Sequence, residues 1–320
     1  MEKRSFTSRL QSLDAKAIRE MVYQQLDANP MFTKGMEVIA ADAGDQYWLE
    51  VKDHLIWLDC YLDRYRSGVS LETAFNSFIT LTFDYFKLQN ELVHTKRTFS
   101  TNEQESREKV YDNIELMEGP YLQGLFLALY FWPNHYHMVQ WFRREFLPLL
   151  HSHKRVLEIG PGHGFFTAEM LCADDSIALE AIDIAGLAVR MTRRMLAIKA
   201  PDALDRLQCR LGSFTGEHQK ASRRYDAILF SEVLEHIENP GEGLRILHGQ
   251  LAQDGVMLCT TAINAAFYDH LTIFKTIAEI DRLFDESGFE ILKRHEEFIT
   301  ELADGSSLSD YFALLRRKTP

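Results

Sequence analysis

Val156-Leu157-Glu158-Ile159-Gly160-Pro161-Gly162-His163-Gly164-Phe165-Phe166 is the stretch whose reading decides the fold. An apolar run enters a glycine-rich turn, and Thr167-Ala168-Glu169-Met170-Leu171 reads as the helix that leaves it. This is a strand, a tight loop and a helix start. Gly160, Gly162 and Gly164 remove Cβ atoms where the backbone must bend sharply and where a ligand can come close. The loop amides and the first turn of the helix offer unpaired N–H donors.

The spacing G-x-G-x-G differs from the G-x-G-x-x-G of dinucleotide folds, and Glu158 stands two residues ahead of it. A carboxylate there repels a phosphate and suits a cationic ligand. The pattern E-x-G-x-G-x-G resembles the first motif of class I S-adenosylmethionine (SAM) methyltransferases. Read without that resemblance, the same residues are an ordinary strand-to-helix turn of an α/β protein.

Downstream of residue 150 the chain alternates strands and helices. Strands are expected at Arg155–Ile159, 177–184, 206–211, 226–230, 255–260, 289–292 and 310–316, with helices at 244–251 and 277–287. Such alternation gives a mostly parallel sheet covered on both faces. The last two strands fit an antiparallel hairpin at the sheet end, as in class I methyltransferases. The expected fold is therefore α/β: a Rossmann-like, mostly parallel seven-stranded sheet over residues 151–320. It follows an all-α region over residues 1–150, which resembles no family and reads as a helical cap, substrate-binding or dimerisation domain.

In that first region residues 12–26 form one candidate helix, ended by Asn29-Pro30. Residues 45–66 follow, with Trp48, Val51, Leu55, Leu58 and Leu62 on one apolar face and Gly68 as a stop. Ser70 can cap the next helix. Residues 100–106 are polar, and 110–117 read as a further helix. Pro120 and Pro133 are each expected in a helix's first turn. Residues 121–150 are the most aromatic part, fit either for a lid over a small-molecule pocket or for an ordinary helical core. His135 and His137 are two apart, so on a helix they do not share a face.

The bulk numbers bound the function. The chain has 320 residues, 46% of them hydrophobic, enough for a well-buried core and more than one typical domain. A net charge of −12 disfavours nucleic acid, whose phosphates need clustered Lys and Arg. Cys60, Cys172, Cys209 and Cys259 are far apart, without C-x-x-C, and read as small buried residues in a reducing compartment. No apolar signal stretch follows Met1-Glu2-Lys3-Arg4-Ser5, and no window suits a membrane span. A cytoplasmic location is expected.

The cofactor contacts implied by the resemblance fall at four places. Glu158, Gly160, Pro161, Gly162, Gly164 and Phe165 belong to the loop. Asp183 ends the second strand, 23 residues after Gly160, where a carboxylate can accept bonds from ribose hydroxyls, with Ile184 beside it. Glu180 is its competitor but sits within the strand. Ser213 falls where these enzymes often carry an acid for the adenine amino group, and Phe214 would flank the ring. Ser231 and Glu232 end the fourth strand, whose segment Tyr225–Ser231 continues into Val233-Leu234-Glu235-His236-Ile237. That segment resembles the fourth-strand motif of small-molecule methyltransferases and lacks the N/D-P-P-Y of enzymes methylating base amines or amide nitrogens.

Two histidines are the catalytic candidates. His236 and His270 can each take a proton from an attacking hydroxyl or amine near neutral pH. His94, His151, His153 and His248 have no accompanying motif. Glu232, Glu235, His236 and His270 also resemble the constellation of ubiquinone-pathway O-methyltransferases and small-RNA 2′-O-methyltransferases, where a divalent metal holds the acceptor. Relatives with E-x-x-E-H and no metal exist too, so no metal ligands are assigned. The expectation is a SAM-dependent methyltransferase acting on an oxygen or nitrogen of a small molecule in specialised metabolism. Three rivals stand beside it. The first consumes SAM itself, as azetidine-2-carboxylate synthases do in releasing methylthioadenosine. The second is a metal-dependent RNA 2′-O-methyltransferase. The third is an inactive SAM-binding scaffold. Helical faces of residues 1–150 could equally pair two copies into a homodimer.

Overall fold

The computed structural model describes residues 6–152, 155–215 and 224–318. His153 and the first five residues, on which two of the expectations above fall, lie outside them. Seven strands form one sheet: β1 (Arg155–Ile159), β2 (Ala178–Asp183), β3 (Leu207–Leu211), β4 (Tyr225–Ser231), β5 (Leu251–Ile263), β6 (Phe289–Glu301) and β7 (Ser307–Arg317). Their order is β3-β2-β1-β4-β5-β7-β6. β1 pairs in parallel with β2 on one side and β4 on the other, while β7 runs antiparallel between β5 and β6. Chain direction around the sheet therefore reverses at β1, and the crevice beyond the carboxyl ends of β1 and β4 is where such sheets bind ligands.

The N-terminal region is helical, as expected, with long helices Asp45–Tyr65 and Leu71–Thr95. Ser70 accepts from the Thr73 amide and closes a capping box. Three local expectations are corrected. Asn29-Pro30 does end the preceding chain segment, but it also starts the helix Pro30–Ala43: the Asn29 side chain accepts from Met31 N at 3.0 Å and Pro30 is in the first turn. Residues 110–117 are not one helix, because Asn113 caps a new turn, Ile114–Leu116, after a wide turn over Arg107–Tyr111. Pro120 lies inside the widened helical run Met117–Gly124, where looser bonding accommodates a ring that lacks an N–H. Pro133 does open the helix Pro133–Trp141.

Strand β6 is far longer than residues 289–292. Its Lys293-Arg294-His295-Glu296-Glu297 run, beyond the expected end at residue 292, belongs to an edge strand and is charged. The helical region and the sheet share one apolar core, which runs from Leu10 through Phe126 and Phe146 to Val156, Phe165 and Leu258. Trp57 Nε1 donates to Met195 O at 3.0 Å across that junction. The four cysteines are free thiols. Among the described residues no helix is long and apolar enough to cross a membrane.

Candidate active site

Gly160, Gly162 and Gly164 all adopt positive φ, at +67°, +55° and +79°. Their three positions are not equivalent. A Cβ on Gly160 would meet Val233 Cγ2 at 2.7 Å, and one on Gly164 would meet Thr192 Cα at 2.6 Å. Beside Gly162 the space is open, with only Gly160 O at 4.0 Å. The first and third glycines let the loop pack; the second faces a cavity.

That cavity, of 120 Å³, is lined by Gly160, Gly162, Asp183, Ile184, Ser213 and Phe214, by Val233 and His236 after β4, and by Tyr111 and Tyr121 of the helical region. Asp183 accepts from Ala185 N at 2.8 Å and Gly162 N at 3.2 Å. Burial pushes its carboxyl up to about 6 against those two bonds. Glu180, its competitor, is engaged elsewhere by Arg210 and by the Tyr225 hydroxyl at 2.6 Å. Ser213 Oγ pairs with Thr215 Oγ1 at 2.7 Å, and Phe214 packs edge-on against Phe230.

Glu158 and Phe165 are placed differently. Glu158 is 2% exposed, accepts from Thr167 Oγ1 at 2.5 Å, and lies beneath the loop rather than on a cavity wall. Burial raises its carboxyl to about 8, so it is protonated at neutral pH and braces the loop-to-helix junction. Phe165 is buried among His54, Trp57 and Tyr130.

A second cavity, of 350 Å³, opens on the other side of the loop. Gly160, Gly162, Tyr121, Leu122, Glu232 and His236 line both spaces. The larger one is walled by Tyr85, Trp132, His135 and Met138 of the helical region, and by Pro161, Ser231, Glu235, Phe267, His270 and Asp310.

The two candidate histidines meet at this wall, ring centroids 5.1 Å apart. His236 Nδ1 is 3.3 Å from Asp269 Oδ2, which also accepts from Tyr121 OH at 2.5 Å and Tyr111 OH at 2.7 Å. Burial opposes ionisation of Asp269, but His236, His270 and both hydroxyls outweigh it and hold the carboxyl below its ordinary range. With Nδ1 turned to a carboxylate, His236 keeps Nε2 for chemistry. His270 Nδ1 lies 3.1 Å from Ala265 O, which can only accept, so that nitrogen carries the proton. Burial lowers His270 to about 4, leaving it neutral.

The segment carrying Asp269 and His270 is held by the helical region. Gln89 Nε2 donates to Asn264 O at 2.8 Å, Ala266 N donates to Gln89 Oε1 at 2.8 Å, and Ser100 Oγ donates to Tyr268 O at 2.9 Å. Tyr111, Asp310 and Asn134 were not flagged by sequence, and Asp269 stood out there only as the neighbour of His270. The one available signal was the Asp269-His270 dipeptide.

Glu235, His236 and His270 each present a ligating atom within 4.8 Å of the others. Glu235 Oε1 is buried without a hydrogen-bond partner, and each histidine keeps Nε2 while Nδ1 faces an acceptor, the arrangement ligating histidines adopt. Glu232, the fourth residue of the sequence constellation, stands outside that group; its Oε1 accepts from Thr260 Oγ1 at 2.7 Å. His137 is turned away to Glu297 at 2.8 Å.

A family model described as "Methyltransferase domain" matches residues 134–294. No curated protein matches the chain. Among solved structures, an O-methyltransferase family protein from Burkholderia thailandensis is 12% identical with a TM-score of 0.55, covering 96% of this chain and 95% of its own. LaPhzM is 17% identical with a TM-score of 0.53, over 79% of this chain and 75% of its own. The mitomycin 7-O-methyltransferase MmcR is 13% identical with a TM-score of 0.52, over 77% and 71%. At these identities the likeness is one of fold.

Proposed function

The chain belongs to the methyltransferase-domain family, and from that premise we propose that it transfers a methyl group from SAM to an oxygen or nitrogen of a small molecule. The observation that carries this reading is the shared wall. A glycine cradle ending at Asp183 borders one cavity, an apolar pocket borders the other, and His236 faces both. SAM supplies, when bound, a methyl carbon already activated by its sulfonium. Open space beside Gly162 and the acceptor oxygens of Asp183 fit its amino-acid and ribose parts.

The chain's own residues then have three tasks. Asp183 anchors the ribose. His236 Nε2 takes the proton released as the acceptor atom bonds to the methyl carbon, while Asp269 fixes the ring and compensates the charge it gains. The helical region closes over the pocket and keeps water from competing with the acceptor. A 350 Å³ second cavity favours an external acceptor over cyclisation of SAM on itself.

The test is to titrate the protein with SAM and its demethylated product (SAH) and to follow SAM alone by mass spectrometry. Saturable binding with SAM left intact, and severe loss of affinity in Asp183→Ala, supports the proposal. Methylthioadenosine formed without an acceptor points to the cyclase; unchanged affinity in the variant sinks the assignment.

A second reading has one observation in its favour, the orphaned Glu235 Oε1 beside two histidine nitrogens. Glu235, His236 and His270 would hold a divalent ion that polarises an acceptor hydroxyl, and the mixed nitrogen and oxygen donors suit a transition ion better than Mg²⁺. Activity lost on chelation and restored by Zn²⁺, Mn²⁺ or Co²⁺ would support it. Activity indifferent to a chelator leaves His236 as the base.

A further inference from the structure

The larger cavity has a one-sided charge. Its described lining includes the carboxylates of Glu232, Glu235 and Asp310 and no Lys or Arg. Two of them are embedded, Asp310 at 4% exposed and Glu235 at 1% exposed, and Glu232 is half-buried. Asp310 sits in mid-strand on β7 opposite Ala262 and Glu297, and its one side-chain donor is Asn134 Nδ2 at 2.7 Å. Glu235 Oε1 has no hydrogen-bond partner, and the nearest basic atom to it is His236 Nε2 at 3.9 Å. Buried carboxylates without counter-charges are costly, and a fold keeps them where something else supplies the charge.

Aromatic rings stand over the same end. Tyr85 and Trp132 have centroids 5.4 Å apart, and Tyr85 and Phe267 are 6.4 Å apart. Tyr85 and Trp132 line the same cavity as Glu232 and Asp310, and Trp132 stands two residues from Asn134, the donor to Asp310. Carboxylates together with aromatic faces are the chemistry that recognises an ammonium group.

We propose that the acceptor carries an ammonium group, and that Glu232, Asp310, Tyr85 and Trp132 bind it. This rests on reading the larger cavity as the acceptor site. Glu232 lines both cavities, but SAM's own charges do not account for the rest of the wall, because Asp310, Tyr85 and Trp132 line only the larger cavity and not the one that holds Asp183. The ammonium is an anchor and not the methylated atom, since a nitrogen holding its proton between carboxylates has no lone pair to attack. The nucleophile is a separate hydroxyl or amine, placed by the anchor at His236.

Isothermal titration of the SAH-saturated protein with three probes tests this: tyramine, 4-ethylphenol and 3-(4-hydroxyphenyl)propionate, which share a phenol and differ in charge. Tyramine should bind about tenfold more tightly than 4-ethylphenol, and the anion most weakly. In Asp310→Asn, an isosteric change, that preference should shrink to about threefold or less, with SAH affinity unchanged. Should the variant misfold, the wild-type comparison stands by itself. Failure of SAH to bind overturns the methyltransferase reading. SAH binding together with no ammonium preference, or with no tyramine binding at millimolar concentration, overturns the ammonium site alone.

Discussion

A general base must present one nitrogen in one tautomer, and in the proposed mechanism that task falls on Asp269. It is fully buried, it faces His236 Nδ1 at 3.3 Å, and two tyrosine hydroxyls fix the same oxygen. His236→Ala should therefore lower the rate of methyl transfer by about 10²–10⁴-fold with SAH affinity little changed. Asp269→Asn should lose most of the same factor, because an amide neither selects the tautomer nor compensates the imidazolium. Tyr121→Phe, which leaves Tyr111 in place, should fall between it and wild type. Single-turnover rates beside SAH titrations separate these effects from lost cofactor binding; an undiminished rate in Asp269→Asn would dismiss the pair. Sequence reading singled out Asp183 and His236 because each follows a strand end, and His270 because it forms a pair with Asp269. It passed over Tyr111 and Asp310 because their roles exist only across the fold: Tyr111 meets Asp269 from 158 residues away. Glu158 looked like a ligand-facing charge, yet both faces of β1 are buried at its end, and Thr167 is its partner.

The loop between β1 and the helix Phe165–Ala173 separates packing from binding within five residues. Gly164→Ala drives a Cβ to 2.6 Å from the Thr192 backbone at a φ of +79°, so the variant should lose both stability and SAH binding. Gly162→Ala meets open space, and its left-handed φ should cost only about 1–2 kcal/mol. Its methyl points into the cofactor cavity, so SAH affinity should fall at least tenfold while the melting temperature drops by only about 2–4 °C. Equal losses in the two variants, read by titration and thermal melts, would contradict the division of roles. Most strands were legible as short apolar runs, with Gly160 and Gly212 marking the ends of β1 and β3. The helix Pro30–Ala43 was not, because Asn29-Pro30 serves as a stop signal and a start signal at once. The far end of β6 was hidden for a different reason: an edge strand exposed to solvent needs no apolar face, so its charged run carries no strand signal.

Across the whole molecule, the helical region and the sheet form one body around a shared core, and the cost of that burial is concentrated in ionisable groups. Glu158 and Glu235 are each raised by burial from 4.5 to about 8. The folded state therefore binds more protons than the unfolded chain between those values, and the stability they allow at low pH is lost as pH rises through about 8. The histidines act in the opposite sense. Burial lowers His135 and His270 from 6.5 to about 4 and His163 to about 3, so their contribution is lost as pH falls below 6.5. The two sets oppose each other from 4.5 to 6.5, and above 6.5 the carboxylates act alone. The ligand-free protein should consequently lose stability above pH 6.5, its melting temperature falling by about 8 °C by pH 8.5 from Glu158 and Glu235 alone, at about 2 °C per kcal/mol for a chain of this size. Glu158→Gln keeps an acceptor for Thr167 and cannot ionise, so it should flatten the alkaline fall without lowering the melting temperature at pH 6.5. Thermal melts of both proteins from pH 5 to 9 measure this. A wild-type profile that rises from pH 6.5 to 8.5 would mean that these carboxylates are ionised in the fold, and that the groove beneath the glycine loop admits water.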